Sequence, residues 1–161
     1  KIIESLNHLS EDIKPKIFLI LPMTYGAKEE YIDSIKNYLL KTNIEYIIIK
    51  NYLPENDLAT LRLLSDITIN VQITDGFSAS IRESLFAGDL LIVGDWLPYE
   101  EIKRWGAFFI ETSLNELKNT IENTIIYFGK YKSKILNNSE IIYQNSSWDS
   151  CTSKIIQGYT D

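Results

Sequence analysis

Thr74-Asp75-Gly76-Phe77-Ser78-Ala79-Ser80-Ile81-Arg82-Glu83-Ser84-Leu85-Phe86-Ala87-Gly88 stands between two apolar runs. Ile67-Thr68-Ile69-Asn70-Val71 leads in and Leu90-Leu91-Ile92-Val93 leads out. The pattern predicts strand, glycine-bearing turn, helix, glycine stop, strand. Such a turn brings a helix N-terminus to the carboxyl end of a strand. Open α/β sheets collect ligands there, and anions are favoured because the first helical N–H groups are unpaired and the dipole end is positive. Gly76 lets a phosphate approach the backbone closely, and Ser78 and Ser80 add hydroxyl donors. Glu83 falls in the first turns of the helix, within reach of a ligand at its tip. Ser80-x-x-Glu83 also reads as a capping box, in which the two side chains satisfy helix-end N–H groups and nothing more. The local pattern leaves both readings open.

Composition narrows the field. The chain has 161 residues, 45% of them hydrophobic and 24% charged, which suits one soluble globular domain with a real core. A net charge of −6 argues against binding nucleic acid through a basic surface. Cys151 is alone, so no internal disulfide is possible, and with a single histidine, His8, a zinc site is not expected. No apolar run approaches the ~20 residues that a membrane-spanning helix requires.

Outward from the centre, strand and helix patterns alternate. Residues 2 to 10 read as an amphipathic helix carrying Ile2, Ile3, Leu6 and Leu9. Lys16 to Leu21 reads as a strand buried on both faces. A helix over about 27–41 carries the stripe Tyr31, Ile32, Ile35, Tyr38 and Leu39. Strand 45–49, the loop Asn51-Tyr52-Leu53-Pro54 and a short helix through Leu58, Leu61 and Leu64 come next. Beyond strand 90–93, Pro98 opens a helix to about Trp105 and Ala107 to Ile110 form a last strand. Ser113 caps a helix through Leu114, Leu117, Ile121, Ile125 and Phe128, a mixed segment follows, and Ser147 caps a final helix from Trp148 to Tyr159. The alternation predicts an α/β fold: a Rossmann-like, doubly wound parallel sheet with extra C-terminal helices. The opening helix lacks the strand that normally begins a βα unit, so a strand is expected upstream of Lys1.

Ser65-Asp66-Ile67-Thr68-Ile69-Asn70-Val71, followed by Asp75-Gly76-Phe77-Ser78, Glu83, Ala87-Gly88 and Leu91-Ile92-Val93, resembles the donor-binding half of GT-B glycosyltransferases. In the large retaining family of that fold the pattern is an acid, Gly-Phe, a small residue and a glutamate eight positions after the acid. Here the first acid is Asp75 rather than glutamate. Leu21-Pro22-Met23-Thr24-Tyr25-Gly26 with Tyr31-Ile32 is similar to the transferases that add a 4-acetamido-4,6-dideoxygalactose to enterobacterial common antigen. Together the resemblances point to bacterial surface-polysaccharide assembly, such as capsule.

The resemblance implies roles. Glu83 takes the position that holds the ribose hydroxyls of a nucleotide sugar, and Asp75 the position that contacts the donor sugar. Backbone N–H groups of Phe77, Ser78 and Ala79 face the diphosphate, with Gly76 and Ser80 in the same turn. Tyr52 and Leu53 lie in the loop that meets the base. The family's basic residues belong to the loop after its first strand; Lys28 and Arg82 are the nearest local substitutes. No cofactor and no metal are expected, since a helix N-terminus takes up the leaving-group charge. The implied partners are the nucleoside diphosphate-sugar, a lipid-linked saccharide acceptor and an N-terminal acceptor domain. Residues 1–161 are then one nucleotide-sugar-binding domain, inactive in transfer by itself. The implied location is cytoplasmic, with a peripheral place at the inner face of the membrane left open.

The same residues bear on other classes. A polyol-phosphate transferase of the teichoic-acid kind shares the fold and a Ser-rich turn. A flavodoxin-like regulatory module needs clustered acids where this chain has Leu21-Pro22-Met23. No Walker A, Gly-x-Gly-x-x-Gly or Gly-x-Ser-x-Gly pattern occurs. Trp96 reads as loop packing or as a wall for the sugar, and the final helix as docking on its own domain or crossing to another.

Overall fold

The computed structural model describes the chain from Lys1 to Thr160 apart from Phe77, with backbone alone for residues 153–155, 159 and 160. The described residues form two compact units: residues 1–58 with 113–128, and residues 59–112 with 129–161.

The first unit holds helix α1 (Ile2–Asn7), strand β1 (Phe18–Pro22), helix α2 (Glu29–Leu39), strand β2 (Glu45–Ile49) and, from later in the chain, helix α6 (Leu117–Ile126). β1 and β2 pair in parallel, Phe18 opposite Glu45 through Pro22 opposite Ile49. α1 packs on α2 and α6, and the unit's interior is built from Leu6, Leu9, Ile32, Leu39, Leu117 and Ile121. The α2–β2 turn is fixed locally. The Thr42 hydroxyl donates to the Leu39 carbonyl at 2.7 Å and accepts from the Ile44 N–H at 3.2 Å, while Asn43 adopts φ 55°, a left-handed conformation that Asn tolerates. Two expectations fail here. β1 is not buried on both faces: Phe18 is exposed and the strand's middle only half-buried, because it has β2 as its one strand partner in this sheet. On α2 the buried stripe narrows to Ile32 and Leu39, with Tyr31 and Tyr38 in solvent. Helix α3 (Glu55–Leu64) links the units; its Leu64 is exposed too.

The second unit carries the central strand-turn-helix. Strands β3 (Ile67–Asn70), β4 (Leu90–Gly94) and β5 (Ile110–Thr112) form a parallel sheet in the order β3-β4-β5. Helix α4 (Ala79–Ala87) joins the first pair and helix α5 (Glu100–Trp105) the second. β4 is buried along its whole length, as expected for a central strand of a parallel sheet. Gly88, at φ 94°, ends α4 in the left-handed conformation and turns the chain back. α4 and β4 meet in a core of Ile81, Leu85, Leu91, Val93, Tyr99 and Ile102. Helices α7 (Phe128–Ile135), α8 (Asn138–Ser146) and α9 (Trp148–Thr160) complete the fold. α8 packs on α4 and α9 and is latched by buried Asn138, whose amide accepts from the Phe108 N–H and donates to the Phe108 carbonyl, both at 2.8 Å. Ser147 caps α9 as expected, its hydroxyl accepting from the Ser150 N–H at 3.2 Å. The last strand begins at Ile110 rather than Ala107, and α5 begins at Glu100, two residues after Pro98.

The α/β class and parallel pairing are those read from the sequence. The strands fall into a two-stranded and a three-stranded sheet rather than one, since the hydrogen-bonded pairing runs β1-β2 and β3-β4-β5.

Candidate functional site

The turn after β3 carries most of the residues singled out above. It lies at the carboxyl end of a parallel strand, followed at once by α4. Ser78 is the N-cap of α4, yet its side chain makes no capping bond. Its hydroxyl instead donates to Asp75 Oδ2 at 3.2 Å. The N-terminus of α4 therefore keeps its positive end without a side-chain cap, the condition under which an anion is attracted.

Asp75 is held by side chains from three segments. Asn70 Nδ2, at the end of β3, donates to its Oδ2 at 3.0 Å. The Tyr99 hydroxyl, from the segment between β4 and α5, donates to the same oxygen. Asn70 Nδ2 also donates to the Tyr99 hydroxyl at 2.8 Å. Burial, reinforced by the neighbouring carboxylate, pushes the Tyr99 hydroxyl above the ordinary phenol range, so it stays a donor. Gly76 is exposed beside this cluster, and a Cβ there would meet no atom within 4 Å. The turn is thus open to solvent at that point. Phe77 lies outside the described residues.

Glu83 is on the outward face of α4, with its side chain 53% exposed. It is not in a capping box. Arg62 of α3 reaches across to it, Nη1 lying 2.5 Å from Oε2. The same guanidinium donates to the Ser80 carbonyl at 3.0 Å and to Ser80 Oγ at 3.2 Å. The side chains that would have closed a capping box are thus tied to an arginine. Beside α4 runs a groove of about 620 Å³, with Ala79, Glu83 and Phe86 on one wall and Ile142, Tyr143 and Trp148 on the other.

The structure therefore groups Asp75, Gly76, Ser78, Ala79, Ser80 and Glu83 around the start of one helix. Tyr52, exposed, and Leu53, half-buried, follow the carboxyl end of β2 in the first unit. Three residues of the site escaped the sequence reading. Arg62 looks like any basic residue in a helix's last turn, and Asn70 and Tyr99 read as strand end and loop. Only the strand order, which sets β3 beside β4, places Asn70 and Tyr99 together. Trp96 is half-exposed and donates from Nε1 to the Gln72 carbonyl at 2.9 Å, bracing the same turn. Among the described residues no group of three or more His, Cys, Asp or Glu side chains is placed to hold a metal ion. No helix among them is long and apolar enough to cross a membrane.

No protein-family model matches the chain, and neither does a curated protein. Among solved structures the fold is similar to that of WaaG, a glycosyltransferase involved in lipopolysaccharide biosynthesis. The TM-score is 0.70 at 13% identity, over 94% of this chain. The chain spans 40% of the length of WaaG. At that identity the likeness shows the fold alone, a Rossmann-like half-domain of the GT-B type, over nearly the whole chain.

Proposed function

We propose that this chain is the donor-binding part of a glycosyltransferase that moves a sugar from a nucleoside diphosphate-sugar to a bacterial surface saccharide, a lipid-linked acceptor being the expected kind. The observation that carries the reading is the start of α4: a helix N-terminus without a side-chain cap, entered through an open glycine turn, with Asp75 anchored in the turn and Glu83 ion-paired on the helix. The likeness in fold to a lipopolysaccharide glycosyltransferase supports it.

The chemistry follows from the charges. Breaking the bond between sugar and diphosphate leaves negative charge on the departing phosphate. Fixed N–H donors at the tip of α4 stabilise that charge without having to reorient. The diphosphate lies against Gly76, Phe77, Ser78 and Ala79. Asp75 accepts from a sugar hydroxyl, and Glu83 accepts from the ribose hydroxyls. Residues 1–161 act as one nucleotide-sugar-binding domain, and acceptor and catalytic base come from a further domain, so transfer needs both. The enzyme works in the cytoplasm, where nucleotide sugars are its donors, at or near the inner face of the membrane.

The test is calorimetry and thermal shift with UDP, GDP, CDP, TDP and their sugars, on the wild type and Glu83→Gln. Glutamine keeps the shape and leaves Arg62 an acceptor, so the variant folds. Loss of a charged acceptor costs about 1–3 kcal/mol, roughly 5- to 150-fold in nucleotide affinity. Unchanged affinity for every diphosphate that binds the wild type refutes the ribose role. Failure of all of them to bind refutes the function.

A further inference from the structure

We propose that Tyr99 and Asn70 are positioning residues for Asp75, fastening one carboxylate oxygen so that the other is presented to a hydroxyl of the bound sugar. The inference rests on the reading of the site just given and extends it to two buried residues that touch no ligand.

The hydrogen-bond accounting of the cluster is closed in one sense only. Asn70 Nδ2 donates to Asp75 Oδ2 at 3.0 Å and to the Tyr99 hydroxyl at 2.8 Å. Tyr99, having accepted from Asn70, gives its single proton to Asp75 Oδ2. Ser78 gives its proton to the same oxygen at 3.2 Å. Turning the Asn70 amide over would set its carbonyl against the carboxylate, and would deprive the Gln72 N–H of the Asn70 Oδ1 that accepts from it at 3.4 Å. Three donors therefore converge on Oδ2, and none of the three serves Oδ1.

The anchors are themselves rigid. Asn70 is 6% and Tyr99 1% exposed. The Tyr99 ring stands edge-on to Phe109, centroids 6.5 Å apart and planes at 88°, and belongs to the core beside Leu97 and Ile102. An aspartate on a glycine-bearing turn would otherwise turn freely about its side-chain torsions. Groups that must meet a ligand at a defined angle depend on such support from behind. Pairing of Asn70 and Tyr99 with each other leaves the Tyr99 proton in need of an acceptor, and Asp75 Oδ2 supplies it. Their joint aim at one oxygen of a half-exposed acid is the additional feature.

The experiment is titration calorimetry on the full chain with UDP, GDP, CDP and TDP beside UDP-glucose, GDP-mannose, CDP-glucose and TDP-glucose. The wild type, Tyr99→Phe and Asn70→Ser are each measured with and without Asp75→Ala. The readout is the affinity for a sugar nucleotide divided by that for its diphosphate, which a general loss of stability does not move. Tyr99→Phe keeps the ring packing, and Asn70→Ser tests the cluster from the other side. The expected result is a roughly tenfold fall in the ratio for each variant, with diphosphate affinity kept within about twofold, and no further fall when Asp75 is already alanine. An unchanged ratio in both variants overturns the inference alone, as does an equal fall in the Asp75→Ala background. An Asp75→Ala protein whose ratio matches the wild type overturns it too. A wild type that binds none of the probes removes the reading of the site, and the inference with it.

Discussion

Asp89 gives the sharpest test of the physics in the second unit, because burial and charge oppose each other there. It is 1% exposed, just after the Gly88 turn. Thr68 Oγ1 of β3 donates to its Oδ2 at 2.5 Å, and Ser84 adds a side-chain hydrogen bond. The other oxygen, Oδ1, is buried without a hydrogen-bond partner. Loss of hydration raises the carboxyl from its ordinary 3.8 to about 6, against the pull of the two hydroxyls and of Arg62. The unfolded chain ionises this group near the lower value, so between the two the folded protein holds a proton that the unfolded one has released. Stability then falls as pH rises from about 4 to about 6, and is flat above. At about 1.4 kcal/mol per unit the ceiling is about 3 kcal/mol, and relaxation with nearby solvent brings the expected loss to ~1–2 kcal/mol. Glu4, Asp33 and Glu122 work the other way, each held low chiefly by its hydrogen-bonded lysine, so the raw profile is a mixture.

Asp89→Asn isolates the effect, since those three carboxylates are common to both proteins and cancel in the difference. The assay is urea unfolding from pH 4 to 8, with a carbon-13 titration of the Asp89 carboxyl beside it. Asparagine cannot ionise, but its amide puts N–H groups where Oδ1 has no partner, so the variant is the less stable one in acid. The gap between the two proteins should close by ~1–2 kcal/mol between pH 4 and pH 6, on the order of 1 M in urea midpoint. A gap that stays level across that range, or a carboxyl that titrates near 4, refutes the account.

Three further substitutions test the packing, one of them an exposed control. Leu91 is fully buried in β4 among Ile81, Leu85 and Val93, so Leu91→Ala should cost about 2–5 kcal/mol in denaturant unfolding, while Leu64→Ala, at 73% exposure, should change stability by less than about 0.5 kcal/mol. Gly94 lies under the Trp96 ring, and a Cβ there would stand 2.5 Å from the nearest ring carbon. Gly94→Ala should therefore push the indole outward, breaking its bond to the Gln72 carbonyl at a cost of about 1–3 kcal/mol. The Trp96 indole N–H resonance reports this directly, and an unmoved resonance would count against the close approach.

What could be read ahead of the structure and what could not divides along one physical line. The turn at Gly76, the glycine stop at Gly88, the cap at Ser147 and the buried β4 are each written in a few adjacent residues, because caps, stops and fully apolar strands are local demands on the backbone. The stripe on α2 was half wrong for a related reason: Tyr31 and Tyr38 share the period of Ile32 and Leu39, but amphipathic rings satisfy either side of a helix and the period cannot say which. The capping box failed because the helix starts two residues earlier than that reading needs, with Ser78 as N-cap and Ser80 already inside α4, where Ser80 and Glu83 meet Arg62 of α3 instead. Asn70 and Tyr99 show the limit most clearly. They stand 29 positions apart, and each alone is an ordinary residue for its place. They meet at Asp75 only because β3 and β4 are neighbours in a parallel sheet, so both strands deliver their carboxyl ends to the same edge. A motif can therefore mark the acid of such a site, while the groups that aim the acid are set by strand order, which is a property of the whole fold.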